Sequence, residues 1–267
     1  MRVFLTGGSG FLGHSIADAL SAHEVHHFCR HDPVDTLVMF RPDVILHIAG
    51  ETKNDEEMFT SNVCLTYELL RIARAVRYTA FVYIGSSSEY GRRNTPMNEV
   101  DKIHPLSDYE TTKACGTLLS LAEAGRGYPV CVVRPFSVYG KYQPDAQLMP
   151  TMYRCWRNDD ELDLAPGVHD WIHVDDFVRG VLLVVQASER LGGHVINLGT
   201  GTQVSNEEVL REFERLLGRV RVRRVPLMRS YDSGYWRADV QRAWEMIGFR
   251  ATISLRDGLR RYVSEQI

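Results

Sequence analysis

Cysteine is scarce in this chain and is never paired at short range. Cys29, Cys64, Cys115, Cys131 and Cys155 are odd in number, widely spaced and free of any CxxC step. That usage argues against a disulfide framework and for reduced thiols in a cytoplasmic protein. An excess of one charge is also lacking: the net charge is −3 over 267 residues. Nothing in that balance suggests a nucleic acid or a membrane surface as partner. The basic cluster Arg221, Arg223 and Arg224 reads as a solvated strand face. No stretch approaches the ~18 uninterrupted apolar residues of a membrane span. The N-terminus enters a strand at once, without a basic region and a long apolar segment, so no signal peptide is expected. Repeats, low-complexity tracts and disordered linkers are missing too. The length suits one large domain, or a main domain with a smaller lobe, and allows a substantial core.

Strand-like and helix-like segments alternate from the start, as in a parallel sheet covered on both faces. Arg2-Val3-Phe4-Leu5 and residues 24–29 read as the first two strands. A short polar connection with Pro33 and the segment Val38-Met39-Phe40 lead to the next strand, 43–48. A long helix is expected over 56–77, with Val63, Leu69, Leu70, Ala73 and Val76 facing inward. Strands follow at 81–84 and 130–133, separated by a helix that begins near Tyr109 behind a Ser107 cap. Beyond Tyr139-Gly140 the alternation loosens, with prolines at 144, 150 and 166. Asp175-Asp176 open a helix, 194–198 reads as a strand returning to the main sheet, and Ser205 with Glu207 and Glu208 marks a further helix start. The expected division is a sheet domain over 1–140 and 175–200. Residues 141–174 and 201–267 would then form a lobe over the crevice at the strand ends.

The run Thr6-Gly7-Gly8-Ser9-Gly10-Phe11-Leu12-Gly13 joins the first strand to a helix face made by Ile16, Ala17 and Leu20. It satisfies GxGxxG through Gly8, Gly10 and Gly13, and GxxGxxG through Gly7, Gly10 and Gly13. Glycines let a backbone turn sharply and approach a pyrophosphate, which then sits on free N–H groups at the positive helix end. A Walker phosphate loop is excluded, because no Lys-Ser or Lys-Thr follows Gly13. A plain tight turn is the competing reading, and context decides between them.

That context is Tyr109-Glu110-Thr111-Thr112-Lys113, placed after Ser86-Ser87-Ser88-Glu89-Tyr90-Gly91. Residues four apart share a helix face, so Tyr109 and Lys113 can point into one site. A phenol, with a reference pKa of about 10, is a poor acid–base catalyst near neutrality. A neighbouring ammonium favours the phenolate, and a shift of three units takes roughly 4 kcal/mol of differential interaction. A serine hydroxyl from a strand end can steady the same substrate oxygen. This is equipment for moving a proton at a carbinol while hydride leaves its carbon.

Together these elements resemble the extended short-chain dehydrogenase/reductases, and within them the nucleotide-sugar epimerase/dehydratase/reductase group. The resemblance runs nearly end to end. His47-Ile48-Ala49-Gly50 resembles the family's H-x-A-G/A, Asn62-Val63 its helix asparagine, and Arg134-Pro135-Phe136-Ser137-Val138-Tyr139-Gly140 its R-P-x-x-V-Y-G loop beside the nicotinamide. Trp171-Ile172-His173-Val174-Asp175-Asp176 and the segment from Tyr235 to Gly248 extend it. The resemblance implies an α/β fold, a Rossmann-type doubly wound parallel sheet with a smaller C-terminal α/β substrate lobe. It implies a nicotinamide dinucleotide held by Gly7, Gly10, Phe11, Leu12, Gly13, Ala49, Asn62, Tyr109, Lys113, Pro135 and Phe136. The family's catalytic hydroxyl stands four residues before the tyrosine of x-Y-G, which is Ser86 here, acting with Tyr109 and Lys113. By family position, Ser87, Ser137, His169 and Arg229 face a nucleotide-sugar substrate. Ser137 would touch the sugar or pyrophosphate, Arg229 the nucleotide phosphates, and His169 stands where an arginine is usual. A homodimer through the 56–77 and 109–124 helices is also implied.

Cofactor choice turns on the end of the second strand. An NAD site usually places Asp or Glu there for the ribose hydroxyls, but this chain offers Cys29-Arg30-His31. A guanidinium pairs bidentately with a 2′-phosphate, which favours NADP(H). NAD(H) stays open through Asp32, if the strand runs longer. The imidazoles at 23, 26, 27 and 31 lack a converging second ligand group and read as a solvated edge, not a metal site.

Departures from the family narrow the reaction. The sugar 4,6-dehydratases carry Asp-Glu directly after the catalytic hydroxyl residue; here Ser87 and Ser88 stand there, and Glu89 is one residue late. The GDP-fucose-synthase type needs a cysteine acid near the serine, which is missing. Hydride exchange at one carbinol carbon, C4, remains, by an epimerase or a 4-ketoreductase. Only about a dozen residues separate Arg30 from the strand at Asp43, so the strand–helix unit common in the epimerases is trimmed, as in the ketoreductases. Two other classes stay open: a redox-silent dinucleotide-binding regulator and a reductase of a non-sugar ketone.

Overall fold

The apolar runs that alternate with helices assemble into one parallel sheet, in a computed structural model that describes residues 1–226 and 234–266. The first elements are β1 (Arg2–Thr6), α1 (Phe11–Ala19), β2 (Glu24–Phe28), α2 (Thr36–Phe40) and β3 (Val44–His47). Next come α3 (Asp55–Phe59), a π-helical turn (Thr60–Cys64), α4 (Leu65–Ala73), β4 (Ala80–Ile84), α5 (Asp108–Gly125), β5 (Val130–Pro135) and β6 (Ser137–Tyr139). They are followed by α6 (Leu148–Asn158), β7 (Glu161–Leu164), β8 (Val168–His169), β9 (Trp171–His173), α7 (Val174–Gln186) and β10 (Val195–Leu198). The chain closes with β11 (Val204–Ser205), α8 (Asn206–Leu217), β12 (Arg221–Arg224), α9 (Gln241–Ile247) and α10 (Leu255–Ser264).

The main sheet has the order β10-β5-β4-β3-β1-β2, and every neighbouring pair is parallel. All residues of β3 and β4 are buried, which is why these strands are continuously apolar rather than alternating. This is the expected Rossmann-type arrangement. From β1 the chain steps outward to β2, then returns to the other side of β1 with β3. The crevice at the C-terminal ends of β1 and β3 is therefore the topological switch point, where ligands of such sheets bind. Only the five-residue α2 links β2 to β3, so β2 is the sheet edge, as the trimmed connection implies. His26 on that edge is not simply solvated: its ring stacks on Phe4 at 5.2 Å and lies against Phe40.

The helix expected over 56–77 begins at Asp55, where Asn54 accepts from Glu56 N, and ends at Ala73. Ala75 N and Val76 N turn back to the carbonyls of Ile72 and Ala73, tightening the last turn into 3₁₀ geometry. Ser107 caps α5 as read from the sequence, and Ser205 with Glu208 forms a capping box on α8.

Three large apolar clusters and a smaller one around Phe136 pack the described residues. One sheet face packs Val3, Leu46 and Val82 beneath α1 and α7, and also takes in Ala243, Ile247 and Phe249. The other face packs Phe4, Ile45 and Phe81 against Leu69, Leu70 and Ala73 of α4. A separate cluster, with Met149, Met152, Leu162, Phe213 and Leu259, sits beneath α6, α8 and α10. Residues 241–249 thus pack on the sheet, whereas α8 and α10 build the small-lobe core. Asp170 stitches the two parts: its buried carboxylate accepts from Thr200 N, Thr200 Oγ1, Gly201 N and Ala238 N at 2.7–3.0 Å. The Arg221–Arg224 face is exposed and acid-paired, Arg223 with Asp163 and Arg224 with Glu207, each at 2.7 Å. Among the described residues no helix is long and apolar enough to cross a membrane.

Candidate active site

The site begins where the loops after β1 and β3 touch. A Cβ on Gly7 would lie 2.6 Å from Ala49 N, and one on Gly13 would lie 2.0 Å from Gly7 O. Only glycine allows this close packing, and Gly7 also holds φ at 72°. Gly10 stands exposed before α1 with no side-chain cap, and the first turn carries no acid. The side chains of Phe11 and Leu12 pack against the sheet core, so at the helix start they offer backbone N–H groups. A start stripped of side-chain caps and of negative charge suits a bound anion. The glycine turn therefore fits a dinucleotide pyrophosphate.

A buried hydrogen-bond chain fixes the loop opposite. Thr66 Oγ1 donates to Asn62 O at 2.8 Å and lies 2.8 Å from His47 Nε2. With its proton committed, Thr66 accepts from Nε2–H, which leaves His47 Nδ1 to accept from Thr6 Oγ1 at 2.7 Å. Thr6 Oγ1 in turn accepts from Ile48 N and Ala49 N, both at 3.1 Å. Burial, with a smaller push from the Lys113 charge, lowers the His47 pKa to about 3, so the ring is neutral as this chain requires. Asn62 sits in the π turn, a helix irregularity common at functional sites. Its Oδ1 accepts from Glu51 N at 2.7 Å, while Nδ2 donates to Glu51 O and Thr112 Oγ1. Asn62 is 1% exposed. The Asn62 amide braces the 49–51 loop against α5.

Tyr109 and Lys113 stand one turn apart at the start of α5. Tyr109 is half-buried, whereas Lys113 is 4% exposed. Lys113 Nζ donates to Ile84 O, the last carbonyl of β4, at 2.5 Å and lies 4.6 Å from the centre of the Tyr83 ring. Burial brings its pKa down from 10.5 to about 8, opposed by the negative charge of Glu89. Ser86 follows β4 by two residues and caps the short 3₁₀ turn Ser87–Tyr90. Ser86 Oγ accepts from Ser88 N at 3.1 Å and shares a 2.7 Å hydrogen bond with Ser88 Oγ. Ser87 is buried in the same turn. Lys113 Nζ and the Ser86 turn thus lie together at the C-terminal end of β4, with Tyr109 one helical turn before Lys113.

The other predicted residues fall around it. Arg30 is exposed beyond β2, but its guanidinium is engaged by Glu57 at 2.7 Å and Glu51 at 3.5 Å. Asp32 accepts from Cys29 N at 2.7 Å and so shapes the turn after β2. Pro135 ends β5, and Phe136 is buried with Tyr90, Met97, Trp236 and Ala238. On the lobe side, Ser137 Oγ and His169 Nδ1 come within 3.3 Å, and the His169 ring lies 4.9 Å from that of Trp171. Two predicted substrate residues are therefore adjacent. Arg229 lies outside the described residues.

Sequence reasoning missed Thr6, Thr66, Glu89 and Arg134. Thr66 stands four residues after Asn62, a helical spacing that could have linked the two. The Thr6 chain yields a prediction. Thr6→Val removes the donor to His47 and the acceptor of two amides, and should lower stability in urea by about 2 kcal/mol; Thr6→Ser should retain it.

Comparison with known proteins shows the family. A family model described as the NAD dependent epimerase/dehydratase family matches residues 3–199. The dTDP-glucose 4,6-dehydratase of Streptomyces griseus is 29% identical over 257 residues, covering 90% of this chain and 77% of that protein. The UDP-glucuronate 4-epimerase of Thermodesulfobacterium geofontis is 29% identical over 232 residues, covering 82% and 71%. Among solved structures, MoeE5 in complex with UDP-glucuronic acid and NAD superposes with a TM-score of 0.90 at 27% identity, with 100% of both chains covered.

Proposed function

The chain belongs to the NAD dependent epimerase/dehydratase family, and from that premise we propose that it exchanges hydride at C4 of a nucleotide sugar. Tyr109 is the acid–base residue, Ser86 hydrogen-bonds the same substrate oxygen, and Lys113 supplies the positive charge that favours the phenolate. The observation that carries this reading is the burial of Lys113 at the end of β4, one helical turn from Tyr109 and beside the Ser86 turn. Gly7, Gly10, Gly13 and the first amides of α1 hold the dinucleotide, with Ala49, Pro135 and Phe136 farther along the crevice. When bound there, the nicotinamide supplies the hydride acceptor for a carbinol and the donor for a ketone. Tyr109 takes the hydroxyl proton on oxidation and returns it on reduction. A redox-silent binder has no need of this trio.

Ser137 and His169 face the nucleotide sugar, and Arg229 binds its phosphates. A UDP-sugar acid is the substrate class supported by the relative named as a UDP-glucuronate 4-epimerase and by MoeE5 with its bound UDP-glucuronic acid. Dehydration is disfavoured, because Ser87 and Ser88 carry no acid and Glu89 is tied to Arg134. Epimerisation is the leading reading. Ketoreduction is the second, favoured by the missing strand–helix unit between β2 and β3 and by Arg30. For the cofactor we favour NADP(H), since Arg30 can exchange Glu57 for a 2′-phosphate. A homodimer through α3–α4 and α5 is supported by Phe59, Tyr67 and Leu118, which leave 60%, 51% and 56% of their surface exposed there. The five free cysteines suit a cytoplasmic setting.

Two outcomes test this reading. Tyr109→Phe should lower kcat about a hundred- to ten-thousand-fold on a nucleotide-sugar panel, with wild-type activity falling above about pH 8 as Lys113 loses its proton. Near-normal turnover by the variant would sink the assignment. Product without net cofactor loss identifies the epimerase, and stoichiometric oxidation of NADPH the reductase. Arg30→Ala should weaken NADPH binding about tenfold or more while sparing NADH. Tighter NADH binding by the wild type, with both affinities unmoved in the variant, contradicts the NADP(H) preference.

A further inference from the structure

A carboxylate lies at the heart of the site with no route to water. The Glu89 side chain is 0% exposed, and its partner Arg134 is 3% exposed. Arg134 Nε donates to Glu89 Oε2 at 2.9 Å, while Glu89 Oε1 accepts from Ser86 N at 2.8 Å and Thr117 Oγ1 at 3.0 Å. We propose that Glu89, paired with Arg134, is a positioning residue for the reaction: it fixes the Ser86 turn and supplies a buried counter-charge to Lys113. This inference rests on the reading of Ser86, Tyr109 and Lys113 given above.

Stability alone is a poor reason for the pair. Taking two charges out of water costs more than the attraction usually returns, unless every remaining donor and acceptor is satisfied. Here Arg134 Nη1 is buried without a hydrogen-bond partner. The chain makes room for the carboxylate through Gly85, where a Cβ would lie 2.5 Å from Glu89 Oε1. Glu89 therefore folds back onto the strand end that carries both the Ile84 carbonyl, which holds Lys113 Nζ, and Ser86. One side chain thus sets the backbone of the hydroxyl donor and the field at the ammonium.

The charges explain why Arg134 is needed. Lys113 is faced by His47 from β3, Tyr83 from β4 and Glu89 from the turn after β4, with Arg134 of β5 paired to Glu89 and Tyr109 one turn earlier on its own helix. His47 is neutral at working pH. Glu89 favours the ammonium against the burial that opposes it. Uncompensated, that carboxylate would quench the field that Lys113 projects onto Tyr109. With Arg134 beside it, the buried set of one anion and two cations keeps one positive charge for the phenolate.

The test reads Lys113 directly. The chain has only four lysines, Lys53, Lys102, Lys113 and Lys141, so NMR of ¹³C-labelled lysine side chains resolves its titration. The Lys113 signal is identified by its loss in Lys113→Met. Glu89→Gln should lower the Lys113 midpoint by about one pH unit or more, and the alkaline limb of kcat should fall in step with KM for the sugar nearly unchanged. Arg134→Met, which leaves the carboxylate uncompensated, should raise the midpoint; it keeps the test decisive if the first variant does not fold. An unmoved midpoint, or activity lost equally at all pH values, would overturn the proposal. The titration is read without substrate, so its outcome is separate from that of Tyr109→Phe, which tests the acid–base assignment itself.

Discussion

A buried ammonium must be held by groups that replace its water, and holding Lys113 organises the catalytic end of the sheet. The last carbonyl of β4 accepts a hydrogen bond from it, the Tyr83 ring lies beneath it, and the Glu89 carboxylate supplies opposite charge. The carbonyl and the ring belong to β4, and Glu89, in the turn that follows, is pinned by Ser86 N and Arg134. Tyr109, one turn earlier on α5, inherits that rigidity. Burial also keeps the Lys113 pKa near the neutral range, at about 8. A charge placed in such low-dielectric surroundings acts more strongly on a neighbouring phenol than it would in water.

The nucleotide seat and this chemical centre are joined by one continuous set of hydrogen bonds. It runs from Thr6 at the end of β1 through His47 and Thr66 to Asn62, whose side chain reaches Thr112 next to Lys113. The π turn places Asn62 where both ends of its amide are used. The loop after β1 and the first turn of α5 are therefore held in a fixed relation. That is the pre-organisation a positioned proton transfer needs.

Much of this was legible because the relevant signals are local. The glycine turn, the Ser107 cap and the Tyr109–Lys113 spacing are each written within a few residues, and the buried strands show as unbroken apolar runs. What escaped is non-local. Glu89 and Arg134 lie 45 residues apart in sequence, and no periodicity announces their pairing. For Arg30 the sequence suggests a 2′-phosphate as partner, whereas its pairing with Glu57 and Glu51, which come from beyond β3, is visible only in the fold. The motif places Asn62 near the cofactor, and only packing shows that its amide also joins the 49–51 loop to α5. The π turn, which seats Asn62 between the 49–51 loop and α5, has no composition of its own. The packing of 241–249 on the sheet was hidden for the same reason, because its apolar residues suit either core.

The central claim is hydride exchange at C4 with the proton carried by Tyr109. The most direct measurement follows UDP-glucuronic acid labelled with deuterium at C4, incubated with the protein and oxidised cofactor. The account predicts slower turnover than with unlabelled sugar, and label found only at C4 of the sugar or on the dinucleotide. Deuterium released to water, or turnover indifferent to the label, would contradict it.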